Sequence, residues 1–128
     1  MEHNVKRWID LSQEDMKAAY AMYSSDLYVH MGFMCQQSVE KALKGYCEFK
    51  DAEVLPIHNL TKLAQKADLY NLLSNDHKSL LTQLQPLYIE ARYPVYKERI
   101  RQLLTKEYSK NLLQKAEGLV VWITNLVQ

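Results

Sequence analysis

The sequence predicts an all-α fold, an up-and-down four-helix bundle with an additional short helix, in one domain over residues 1–128. Three observations carry this. Only three glycines and three prolines occur in 128 residues, too few for a turn-rich β-fold. Met31, Cys35, Val39, Ala42, Tyr46 and Phe49 recur at steps of four, four, three, four and three, which makes one helical stripe. The helix carrying that stripe, expected over 27–50, would be about 35 Å long and needs neighbours along its whole length, as a bundle provides.

The elements follow in order. A first helix is expected over 4–22, with Trp8, Ser12, Met16, Ala19 and Tyr23 on one face and Asp15 at its margin, a candidate partner for a lysine of the second helix. Ser24, Ser25 and Asp26 are capping residues and separate the two. In the second helix a polar strip of Gln37, Lys41, Lys44 and Glu48 runs beside the apolar stripe. Glu40 and Lys44 have the favourable order for an ion pair. Gly45 weakens this helix by about 1 kcal/mol relative to Ala and allows another backbone close. Residues 50–57 read as a loop broken by Pro56. A short third helix follows, with Asn59 as N-cap and Leu60, Leu63, Ala64 and Ala67 inward.

After a break at 71–76, a fourth helix uses Leu80, Leu84, Leu87, Tyr88 and Ala91. Pro86 predicts a kink or break within it, and Pro94 ends it near Arg92. Residues 95–106, with Lys97, Arg99, Arg101 and Lys106 against Glu98, read as a basic loop with a short helical turn. The last helix is expected over 107–126, with Leu112, Ala116, Leu119, Val120, Ile123 and Val127 on its core face.

Composition limits function. A net charge of +1 removes a whole-chain nucleic-acid footprint but leaves room for a local basic patch. Cys35 and Cys47 stand twelve residues apart on one helix, about 18 Å along its axis, which is beyond disulfide reach. They read as buried apolar groups in a reducing compartment. No apolar run reaches membrane-spanning length, and the N-terminus lacks a signal-peptide pattern, so a cytoplasmic location is expected. His3, His30, His58 and His77 have no metal-ligand spacing, and no phosphate-cradling glycine loop or nucleophile elbow occurs. Neither a metal nor a cofactor is expected, and no catalytic residue is assigned.

What remains is a polar set that a bundle brings together: Gln37, Lys41, Lys44, His58, Arg92 and Tyr93. The cations suit phosphate, and Tyr93 suits stacking on a base. Each has a plainer alternative. Lys44 pairs with Glu40, His58 caps its helix or bonds a loop carbonyl, and Arg92 ties its helix end to the next loop.

The order Trp8, Asp15-Met16, Ala19, QQSVEKALKG at 36–45, HNL at 58–60, LQPLYIEARYP at 84–94 and AEGLVVWI at 116–123 resembles the HEPN family across nearly the whole chain. The resemblance implies a bundle of four to five helices, commonly a homodimer. Small prokaryotic members often accompany a minimal nucleotidyltransferase, some pairs acting as toxin and antitoxin. It implies a nucleotide ligand or that partner protein at the polar set. RNA is the ligand where the member is a ribonuclease. The family's ribonucleases carry an Arg followed after four to six residues by His. Arg92 matches the Arg, but residues 97–99 are Lys, Glu and Arg, and no histidine follows His77. The expectation is therefore a non-catalytic module that binds a nucleotide or a nucleotidyltransferase. The alternatives are a ribonuclease toxin with a degenerate site and a structural bundle without ligand. Nine tyrosines add to the expectation of a dimer, since Tyr favours interfaces.

Overall fold

A computed structural model describes residues 1–90 and 93–128, and among these only helices, turns and loops occur. The helices are α1 (His3–Ser24), α2 (Tyr28–Phe49), α3 (Leu60–Lys66), α4 (Asn75–Glu90), α5 (Pro94–Leu103) and α6 (Lys106–Leu126), with a 3₁₀ turn at Tyr70–Leu72. The chain folds as an all-α bundle of four long helices, and α3 and α5 are the shorter additions.

The expected stripe makes α2 the central helix, which packs against each of the other five. Met31, Cys35, Val39, Ala42 and Tyr46 are buried as their spacing requires. Phe49 departs from the stripe: the last residue of α2 is 45% exposed and only tilts against Tyr46, because the bundle ends there. The core is completed by Val5, Ile9, Met16 and Ala19 of α1, Leu80, Leu81, Leu84 and Leu87 of α4, and Leu112, Leu113, Ala116, Leu119, Val120 and Ile123 of α6.

Close helix crossing depends on small residues. The Ser12 hydroxyl donates to the Ser38 carbonyl (2.6 Å) and the Ser38 hydroxyl donates to the Ser12 carbonyl (2.7 Å), a reciprocal clasp between α1 and α2. At Gly45 it is side chains of α1, not its backbone, that come close. A Cβ there would meet Trp8 Cβ at 3.1 Å and Ile9 Cδ1 at 3.2 Å.

The turn after α1 ends one helix rather than starting the next. Asp26 has φ 61°, its N–H donates to the Tyr23 carbonyl, and the Leu27 N–H donates to the Met22 carbonyl. This is a Schellman motif with Asp in the left-handed position usually held by Gly. The same motif closes α2 at Asp51 (φ 53°) and α3 at Asp68 (φ 58°). Asp tolerates that conformation better than most residues, and a chain with three glycines uses it three times. Asn59 does cap α3, its side chain accepting from the Lys62 N–H at 3.0 Å.

Two expectations in the C-terminal half are corrected. α4 runs through Pro86 without the break, because the proline and Thr82 are both exposed and the carbonyl freed at Thr82 can face water. Residues 94–103 form a ten-residue helix instead of a loop with one turn. Pro94 starts it at the first helical positions, after an extended Tyr93 (φ −110°, ψ 129°).

Candidate functional site

Glu40 is the hub of the polar strip. Its side chain is 5% exposed, and three groups meet it. Lys44, one turn on, donates from Nζ to Oε2 at 3.1 Å. The fully buried Gln36, one turn back, donates from Nε2 to Oε1 at 3.3 Å. His58 brings Nδ1 to 3.0 Å from Oε1 and 3.2 Å from Oε2. A ring nitrogen facing a carboxylate carries the proton, so Nδ1 is the donor and Nε2 is the nitrogen left for water or a ligand.

Two amides hold His58 in place. Its carbonyl accepts from Gln36 Nε2 at 3.2 Å and from Gln85 Nε2 at 3.1 Å, while Gln85 Oε1 accepts from the Leu60 N–H at 2.7 Å. One α4 side chain thereby binds the first N–H of α3 and fixes His58, the residue before its N-cap. The His58 ring stacks on Tyr88 at 4.1 Å between centroids, and Tyr88 stacks on Phe33 at 6.1 Å. The result is an aromatic row along one edge of α2. Gln37 closes the group, donating to Gln36 Oε1 at 2.7 Å. Lys44 also lies over the Trp8 ring at 5.6 Å, which ties the cluster to α1.

Electrostatically the cluster is balanced. Lys44 neutralises Glu40, and Lys41 turns the other way to pair with Asp15 of α1 at 2.5 Å. Buried charges must be paired in this manner. Neither lysine is left to supply net charge to a phosphate. The cysteines are equally committed to structure. Burial pushes the Cys35 thiol up to about 12, and burial also raises that of Cys47, so neither is a ready thiolate.

Of the six residues singled out by sequence, Gln37, Lys44 and His58 converge on one network. Lys41 serves the α1–α2 contact. Tyr93 stands apart at the start of α5, 56% exposed and edge-on to Tyr96 at 6.2 Å. Arg92 lies outside the described residues. Sequence reasoning missed Gln36 and Gln85 as organising groups. Gln36 fell between the apolar stripe and the polar strip, but its four-residue spacing to Glu40 was visible. Gln85 precedes a proline, and nothing local marks its reach to α3.

Among the described residues no helix is long and apolar enough to cross a membrane. The HEPN domain model matches residues 5–126. The crystal structure of an archaeal HEPN homologue is similar at 26% identity, with all of both chains covered and a TM-score of 0.76. None of the curated proteins compared matches this chain.

Proposed function

The chain belongs to the HEPN domain family, and on that footing we propose that it is a non-catalytic module that binds a nucleotide along the open edge of α2. The aromatic row of His58, Tyr88 and Phe33 is the observation that carries this reading. His58, 46% exposed at the end of the row, suits stacking on a nucleobase, such a stack contributing about 1–3 kcal/mol. Gln37, half-buried beside the row, supplies an amide for the base edge, and His58 Nε2 supplies a second polar contact. Lys44 acts indirectly, by holding Glu40 and through it the imidazole. Arg92 and Tyr93 are assigned to phosphate and to base or sugar, on their residue types.

The non-catalytic assignment rests on chemistry. Residues 78–128 contain no histidine, and where the family's ribonucleases place one this chain has Lys97, Glu98 and Arg99. A lysine ammonium is a poor base near neutral pH. The same reading takes a minimal nucleotidyltransferase as protein partner, a homodimer as the working form, and the cytoplasm as its location. A monomeric mass at micromolar concentration in light scattering contradicts the dimer.

The test is a thermal-shift titration with ATP, GTP, AMP and a short RNA on wild type, Gln37→Ala and Arg92→Ala. A ligand tenfold above its Kd stabilises the folded state by about 1.4 kcal/mol, about 5 °C for a chain of this size. The expected result is a shift with at least one nucleotide that both variants lose. No shift with any ligand overturns the reading.

A further inference from the structure

Helix α5 carries a second surface, formed by residues that the nucleotide reading does not use. It buries one residue, Ile100. Val95, Arg99 and Leu103 follow one another at four-residue steps and so form a single ridge along its solvent side. Val95 is 79% exposed and Leu103 53%, and Tyr96 flanks the ridge at 40%. The Arg99 guanidinium lies over the Tyr96 ring at 5.0 Å, so the cation is steadied between the two aliphatic residues. With Tyr96 beside them, these two open aliphatic side chains give a partner apolar surface to cover.

We propose that the Val95–Arg99–Leu103 ridge docks a helix of a protein partner that presents an apolar residue, an acidic residue and an apolar residue at the same four-residue spacing. Ridges of this period pack into one another at helix crossings. The acid of the partner meets Arg99, and its apolar residues cover Val95 and Leu103. Charge complementarity selects the acidic partner. The stretch Lys97, Arg99, Arg101 and Lys106 carries a single interspersed acid, Glu98, and Glu98 is spoken for by Arg101 at 3.1 Å. Among the described residues no carboxylate pairs with Arg99, and its charge is left for a partner. The aliphatic ends of the ridge select a protein helix over a nucleic acid, whose recognition would draw on the tyrosines and cations and leave Val95 and Leu103 uncovered.

The experiment uses a 21-residue alanine-rich helical peptide bearing Leu-x3-Glu-x3-Leu, a second peptide with Lys in place of Glu, and a 15-residue oligo(U). Binding is read on the whole chain by amide chemical-shift changes and fluorescence anisotropy. The wild type binds the Glu peptide at least tenfold tighter than the Lys peptide, with shifts centred on residues 95–103. Arg99→Glu reverses that preference, and Leu103→Ser weakens both peptides. All these positions are exposed, so the variants fold. An unchanged preference in Arg99→Glu, shifts confined to other elements, or no binding at millimolar peptide overturns the proposal. Oligo(U) displacing the Glu peptide from residues 95–103 overturns it as well and makes α5 a nucleic-acid surface.

Discussion

Helices α2 and α5 are opposites in how they use their residues. α2 buries fourteen of its 22 residues, four of them polar or charged, and each of those four has its hydrogen bonds made within the chain. α5 buries one of its ten and turns aliphatic side chains to solvent. The contrast teaches that polar groups beside a core are weak signs of a binding site when they satisfy one another, while apolar groups left outside are stronger ones. On the proposed readings ligands meet the edge of the α2 network and the ridge of α5, while Lys41 and Lys44 of α2 are engaged with Asp15 and Glu40.

If α2 is the internally satisfied scaffold, removing its hub has the largest effect. Glu40→Ala strips Lys44 of its partner in a side chain only 10% exposed. The expected loss is about 3–5 kcal/mol in urea denaturation, as for other broken buried pairs. A loss under about 1 kcal/mol would mean that the network is not structural. Gly45→Val comes next, because its side chain meets Trp8 and Ile9 where a Cβ alone is already tight. A cost of about 1–3 kcal/mol from overpacking is expected by the same measurement.

Smaller effects sharpen the comparison. Asp51→Gly relieves a left-handed residue at the end of α2 and is expected to stabilise by about 0.5–1 kcal/mol in thermal unfolding. Leu103→Ser and Val95→Ser on α5 are expected to stay within about 0.5 kcal/mol of wild type, and a larger loss would make α5 a core helix after all. The last effect depends on pH. The Tyr20 hydroxyl donates to Glu117 at 2.6 Å, and this bond, with desolvation and the carboxylate charge, raises the phenol from 10 to about 12. A group whose folded pKa is raised contributes stability that is complete below its unfolded value and is lost as pH climbs through the folded one. Wild type should therefore lose stability between about pH 10 and 12 more steeply than Tyr20→Phe, as urea midpoints across that range would record.

Much of this contrast was legible in the sequence, on the α2 side. The four long helices, the loop at 50–57 and the Asn59 cap follow from apolar spacing and capping chemistry, because their burial is periodic. The Glu40–Lys44 pair was legible from its spacing, and Asp15–Lys41 was legible as a candidate. Residues 94–103 were not, since a helix that buries only Ile100 has no apolar period to read. The three Asp-terminated helices were hidden because Asp also caps helix starts, so a capping residue such as Asp26 does not say which helix it serves. The candidate site was half legible. Gln37, Lys44 and His58 were singled out by residue type, and the structure gathers them into one network. The aromatic row was not, because Phe33, His58 and Tyr88 come from three separate parts of the chain and only tertiary packing aligns them. Arg92 lies outside the described residues, and its phosphate role stays with the proposal.

The division of labour between the α2 edge and α5 is tested most directly by an amide chemical-shift titration of the whole chain with AMP, ATP and GTP. The account predicts saturable changes at Phe33, Gln37, His58, Tyr88 and Tyr93, with Arg99 and Leu103 unmoved. Nucleotide-induced changes concentrated on α5, or none at the aromatic row, would contradict it.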